Sequence, residues 1–248
     1  MKFGLLLQAV DPLASFGSLA REVEALGFDH LLIADSSLHA RDVYPYLTVA
    51  AASSDSLLIG TGITHPHTRH PAITANAIST LAQCSGGRAV LGIGAGDRPV
   101  HELGFHPATR KTIRAMVQVS RSLWSGEKTV IRDEAFSVDG AVLAFAPDVT
   151  IPIWIAASGP RTLRLAGEIA DGWIPTFFSP DHVGELRSLL EEGAARAGRS
   201  LDDFEIAPTV NAFVSDDREM ARNVMRPVLA LYIGGMGSRK QNFYNQLV

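Results

Sequence analysis

Short apolar runs alternate with longer amphipathic stretches from one end of the chain to the other, and this alternation restricts the fold more than any other feature. Residues 2–8 (KFGLLLQ) read as a buried strand, and 16–26 follow as a helix with apolar positions Phe16, Leu19, Ala20, Val23 and Leu26, closed by Gly27. The same unit recurs: strand 30–34 with helix 44–54, strand 57–64 with helix 72–84, and strand 89–93 with a long helix 109–124. Residues 128–147 break the rhythm with hairpin-like alternation and turn signals at Asp133-Glu134 and Asp139-Gly140, an excursion from the main pattern. Strand 153–157 with helix 161–170, strand 173–177 with helix 181–197, and strand 204–214 with helix 217–231 complete the series. Repeated strand–helix units imply a parallel sheet with crossovers. No linker interrupts them, so residues 1–248 are expected to form one domain. The first strand–helix turn lacks a G-x-G-x-x-G fingerprint, and unit number and length favour a TIM-type (β/α) barrel over a doubly wound sheet.

Composition narrows the function classes. The chain has 248 residues, 22 Lys plus Arg against 26 Asp plus Glu, and a formal net charge of -4. That balance lacks the basic stripe of nucleic-acid readers. The single cysteine, Cys84, excludes an internal disulfide framework. No apolar run reaches the roughly 20 residues needed to span a bilayer, and the opening apolar stretch is too short for a secretory signal. A cytoplasmic, reduced-compartment protein is expected.

In a barrel, chemistry gathers at the C-terminal ends of the strands. Those ends carry Asp35, then Gly62, Ile63, Thr64, His65 and His67, then Gly94, Gly96 and Asp97, then Ala157, Ser158 and Gly159, and Thr176. His65-Pro66-His67 places two imidazoles two residues apart, but no further ligands converge, so a polar pocket wall is expected rather than a metal. The glycines of 92–97 (GIGAGD) allow close backbone approach by a flat or phosphorylated ligand, or equally tight barrel packing. Ser158-Gly159-Pro160-Arg161 brings a hydroxyl, free N–H groups and a guanidinium to the start of a helix, which suits an anion; simple N-capping by Ser158 explains it equally well. Carboxylates are few, and no nucleophile elbow is present. An apolar, glycine-rich site short of acid–base groups suits a cofactor that brings its own chemistry.

The runs LGFDHLLIAD, GTGITHPHTRHPAITANAISTLAQCSGGRAVLGIGAGD, LWSGE and PIWIAASGPRTLRLAGEIADGWI make the chain resemble the bacterial luciferase-like family of flavin-dependent oxidoreductases. It is most similar to the branch holding the coenzyme F420-dependent methylenetetrahydromethanopterin reductases. That resemblance implies a barrel binding a deazaflavin (F420), or alternatively FMN, in the mouth formed by the strand ends. It implies a bulge in strand three with a non-proline cis peptide at Gly62-Ile63 followed by Thr64, beneath the cofactor ring. Ser158 and Gly159 match the segment on the cofactor's phosphate side, and Gly94, Gly96, Ala157 and Thr176 are expected to line the cofactor with them. Asp35 and Asp97 match polar positions near the cofactor or substrate, and Asp97, or one of His65 and His67, is expected to orient or protonate a small-molecule substrate. Two departures stand out: Leu6 replaces a first-strand glutamate of the methanopterin reductases, and Ser36 replaces a histidine common after strand two.

The resemblance implies a hydride-transferring oxidoreductase. The alternatives are an FMN-dependent monooxygenase served by a flavin reductase, and a flavin-binding protein without catalysis. It also implies a homodimer or higher homo-oligomer. Relatives continue past the end of this chain with an eighth strand and helix, so the last strand–helix unit of the barrel is expected to be missing here.

Overall fold

The computed structural model of the chain describes residues 1–176 and 180–235. In chain order the elements are β1 (Gly4–Gln8), α1 (Leu13–Ala25), β2 (His30–Ala34), α2 (Val43–Ser53), β3 (Leu58–Thr61), α3 (Pro71–Cys84), β4 (Ala89–Ile93) and α4 (Arg98–Glu102). They continue with α5 (Arg110–Trp124), the hairpin strands β5 (Thr129–Arg132) and β6 (Ser137–Ala141), β7 (Ile153–Ile155) and α6 (Pro160–Ile169). The series ends with β8 (Gly172–Trp173), α7 (Val183–Arg196), β9 (Glu205–Ile206) and α8 (Arg218–Ala230). Seven strands form one parallel sheet in the order β1-β2-β3-β4-β7-β8-β9, and β5-β6 pair separately as an antiparallel ribbon.

The sheet has a helix-covered side and an inner side. Outside, a continuous core joins Phe16, Tyr46, Leu31, Ile59, Ile78 and Leu163 with the apolar faces of the helices. Inside, Leu32, Val90, Trp154 and Ile174 make a smaller cluster of their own. Alternate residues of a strand point to opposite faces, so two cores on one parallel sheet are the expected arrangement. The ends show the curvature: Lys2, just before β1, forms an ion pair with Glu205 of β9, so the sheet curls far enough for side chains at the N-terminal ends of its two outermost strands to meet. No hydrogen-bonded ladder joins them among the described residues. Leu6, facing inward on β1, consequently keeps 40% of its surface exposed.

Local chemistry explains most boundaries. Asp42 caps α2 by accepting from the Tyr44 N–H, and Thr109 caps α5 by accepting from Thr112. Behind α1 and α3, Gly27, Gly86 and Gly87 take the positive φ that ends a helix cheaply only in glycine. Trp124 ties α5 to α3 by donating its indole N–H to the Ala75 carbonyl at 2.9 Å. Among the described residues no helix is long and apolar enough to cross a membrane.

Some elements differ from the sequence expectation. The seventh strand, expected over 204–214, is reduced to Glu205–Ile206 plus a bridge of Thr209 to Thr176. Pro208 lies between the two and has no N–H to give to a ladder. The sixth strand, expected over 173–177, is Gly172–Trp173 with the bridge at Thr176; Phe177 lies outside the described residues. The chain tail from 236 onward also lies outside them. Strand three stops at Thr61, three residues early, because the chain turns through the Gly62-Ile63 peptide, which is cis as the resemblance implied.

Candidate active site

The mouth is assembled from the ends of β2, β3, β4, β7 and β8. After β3 the chain stays attached to both neighbours: Gly62 N–H donates to the Ile33 carbonyl at 2.8 Å, Asp35 N–H to the Ile63 carbonyl at 3.2 Å, and Thr64 N–H to the Gly92 carbonyl at 2.9 Å. Gly94 N–H donates back to the Thr64 carbonyl at 2.9 Å. This lacing fixes Ile63 against β4. A Cβ on Gly94 would stand 2.1 Å from Ile63 Cδ1, so the missing side chain is what lets Ile63 lie across the strand end. Beneath the same turn, a Cβ on Gly62 would approach Leu32 and Leu6 within 2.8 and 3.1 Å. Leu6 therefore supplies an apolar floor there.

The Thr64 hydroxyl donates to Asp35 Oδ2 at 2.6 Å, binding two of the expected site residues together. Behind them lies a residue the sequence reading passed over. The hydroxyl of Tyr44 is buried beside those of Thr64 and Thr74, none of them in hydrogen-bond geometry with it, and Arg69 covers its ring at 4.0 Å. Burial, with the Asp35 charge adding to it, pushes the Tyr44 phenol up to about 12. A raised phenol pKa means the folded state holds the proton longer than the unfolded chain does. Stability from this group is therefore intact below pH ~10 and lost as pH rises from about 10 to 12. Tyr44→Phe is expected to flatten denaturation midpoints over that window by up to ~3 kcal/mol relative to the parent. Tyrosinate absorbance should show one fewer late-ionising tyrosine; identical alkaline curves for the two proteins would refute the assignment.

His65 is 4% exposed, and both ring nitrogens lack a partner. Burial pushes its imidazole down, against a smaller pull from Asp35. His67 has an unpartnered Nε2, stacks on Phe105 at 5.5 Å, and stands near Asp133. Asp133 comes from the turn of the β5-β6 ribbon, which docks on this loop through His70 Nε2 to the Ser137 carbonyl at 3.0 Å and through Phe136 against the His70 ring. The excursion thus closes one side of the site. The His65 and His67 rings are 6.1 Å apart, and no group of three metal-ligating side chains forms among the described residues.

Asp97 opens α4, a helix the periodicity did not reveal, and makes no side-chain cap bond there. Burial pushes its carboxyl up despite opposing pulls from His101 and His39. α4 is tied across the mouth by Glu102, which pairs with His39 of the β2–α2 loop and with Arg98. Gly96 turns at φ +81 and packs against Val100 and His65.

On the far side, Ala156 N–H donates to the Ile93 carbonyl at 2.8 Å, and Ala156 Cβ lies 3.5 Å from where a Gly94 Cβ would be. Ala157 is buried, and Ser158 and Gly159 lead directly into α6. The N-cap is Gly159, not Ser158, and no side chain caps the helix. Of the two readings of this segment, capping by the serine is therefore excluded. In this first turn Pro160 has no N–H and the Thr162 and Leu163 N–H groups both donate to the Gly159 carbonyl at 3.0 Å, which leaves the Arg161 N–H, and a Cβ at Gly159 would meet nothing within 4 Å. Thr176 shares a hydroxyl–hydroxyl bond with Thr209 at 2.9 Å. A cleft of about 530 Å³ opens beside Asp35, bordered by Ser37, Asp42, Arg69 and Ile73.

A parallel strand–helix sheet with this turn after β3 and this glycine-lined mouth has relatives. The family model of the luciferase-like monooxygenases matches residues 1–248, and the chain belongs to that family. A 5,10-methylenetetrahydromethanopterin reductase of Archaeoglobus fulgidus is 38% identical over 86% of this chain and 64% of its own length. That of Methanolobus tindarius is 34% identical over 95% of this chain and 72% of its own. The solved coenzyme F420-dependent tetrahydromethanopterin reductase of Methanopyrus kandleri superposes with a TM-score of 0.80 at 28% identity, covering 95% of this chain and 73% of that one. The chain thus spans about two thirds to three quarters of the length of these relatives, and its fold is that of the luciferase-like barrels.

Proposed function

We propose that the chain is an oxidoreductase that transfers a hydride between a deazaflavin of the F420 kind and a small organic substrate. The observation that carries it is one continuous surface: Ile63 laid over Gly94, next to Ala156, running into the uncapped helix start at Ser158-Gly159. An apolar ridge on glycine suits a flat ring, and an open helix end with a hydroxyl suits the phosphate on its side chain. The methanopterin reductases among the relatives support F420 over FMN.

When bound, such a cofactor supplies the hydride chemistry. The chain's own residues do the rest. Ile63 and Gly94 back the ring position, Gly62, Gly96, Ala157 and Thr176 complete its walls, and Ser158 with the Gly159 and Arg161 N–H groups holds phosphate. Thr64 fixes one oxygen of Asp35, leaving the other to orient substrate. Asp97 holds its proton to a higher pH than a free aspartate, which fits a donor or acceptor at the substrate. α4 and the β5-β6 ribbon exclude water. Leu6 removes a carboxylate from the floor, so a substrate differing from that of the methanopterin reductases is expected.

Titration with F420 and FMN in parallel tests this by absorbance, near 420 nm for one and 450 nm for the other. Micromolar uptake of F420 in preference to FMN is expected. Preference for FMN would move the chain to the monooxygenase reading, and uptake of neither would overturn the proposal.

A further inference from the structure

His65 is the least satisfied buried group in the described structure. Both nitrogens are unpartnered and the ring is 4% exposed. A buried polar group left unpaired costs about 1–3 kcal/mol, so such a group marks a place where a partner arrives. The cover over it is slight. A Cβ at Gly96 would lie 3.5 Å from His65 Cγ and 2.4 Å from Val100 Cγ2, so the roof is the Gly96 backbone and the five-residue α4. That roof is bounded by two glycines in the left-handed region, Gly96 at φ +81 and Gly104 at φ +83, and it is held at its rim by Glu102 on His39 and by Phe105 on His67.

From this we infer that α4 is a hinged roof and that His65 is the specificity residue beneath it, receiving an uncharged polar group of the substrate at a ring nitrogen. The inference rests on the oxidoreductase reading for calling the ligand a substrate. A neutral imidazole presents one donor and one acceptor, and burial keeps His65 in that form. Arg98 of the roof helix is engaged with Glu102 at 2.7 Å. Arg69, the only Arg or Lys in residues 62–70, is already stacked on Tyr44 and paired with Asp42 at 3.2 Å. Asp35 adds negative charge beside His65, and Asp133 beside the neighbouring His67. The matching chemistry is an uncharged group that can donate to or accept from one ring nitrogen, as an amide can, rather than a phosphate or carboxylate.

Histidine-selective ¹⁵N labelling reads the ring directly. Titrating the chain with 4(3H)-pyrimidinone, and in parallel with inorganic phosphate, is expected to move the His65 nitrogens and change hydrogen exchange over 97–104 with the amide alone. His65→Leu should weaken amide binding at least tenfold, whereas His65→Gln, which keeps a donor and an acceptor, should stay within about threefold. An unmoved His65 signal, an equal response to phosphate, or equal binding by the leucine variant would overturn the inference. Should His65→Leu fail to fold, the wild-type titration and the glutamine variant decide it alone. F420 is titrated on the same wild-type sample. Failure there with a His65 response removes the oxidoreductase reading only, and F420 uptake without that response removes this inference only.

Discussion

Gly193→Ala is expected to lower the melting temperature by about 6–12 °C, the equivalent of roughly 3 kcal/mol in a chain of this size. α6 and α7 cross with their backbones in contact. A Cβ on Gly193 would stand 1.9 Å from the Arg164 carbonyl oxygen, and one on Gly167 would stand 1.9 Å from that of Leu190. The obstructing atoms are main chain, which cannot rotate aside as a side-chain tip can. The helices must separate, and the packing around Leu163, Leu190 and Ala194 opens with them. Gly184, near the start of the same helix, is the control. Its Cβ would meet nothing within 4 Å, so Gly184→Ala is expected to stabilise by about 0.5–1 kcal/mol. Thermal melts of the three proteins check this, and equal midpoints would show that the crossing is wider than described.

Gly94→Ala is expected to act on binding instead. Its Cβ would meet Ile63 Cδ1 at 2.1 Å, the far end of a side chain, and nothing of the main chain. Ile63 then rotates off the strand end into the mouth, at a cost to folding of about 1 kcal/mol, the low end for added volume because the obstructing atom is a side-chain tip. The surface proposed for the ring is filled by the displaced methyl groups. F420 affinity should fall at least tenfold, or about 1.4 kcal/mol, while the melt moves little. Unchanged affinity would mean that the ring does not lie against Ile63.

These two glycines show where sequence reading reached and where it stopped. Strand and helix alternation placed β2 and β4 at their observed bounds and the ribbon within its expected range, because period and turn residues are local signals. Gly94 stood out for the same reason, in a glycine-rich strand end. Gly167 and Gly193 did not, since the helix crossing brings them against Leu190 and Arg164, far off in sequence, and their own neighbourhoods read as ordinary amphipathic helix. α4 was missed because five residues beginning Arg98-Pro99 are too few for a periodicity. β9 was overextended because apolar residues such as Phe213 and Val214 continue the strand pattern while standing exposed.

The site divides similarly. The turn at Gly62-Ile63 followed from family resemblance, and the structure has it at that bond. Asp35, Thr64 and His65 were legible as strand-end residues, but their joining through the Thr64–Asp35 bond was not. Tyr44 and Thr74 gave no signal at all. One reads as a helix-start aromatic and the other as a small residue on a core helix, and only the tertiary fold brings their hydroxyls to the back of Thr64.

A crystal structure of the chain with F420 tests the central claim most directly. The account predicts the deazaflavin ring against Ile63 and Gly94, with its phosphate at Ser158, Gly159 and the first turn of α6. A ring bound elsewhere, or a phosphate held away from that helix end, would contradict it.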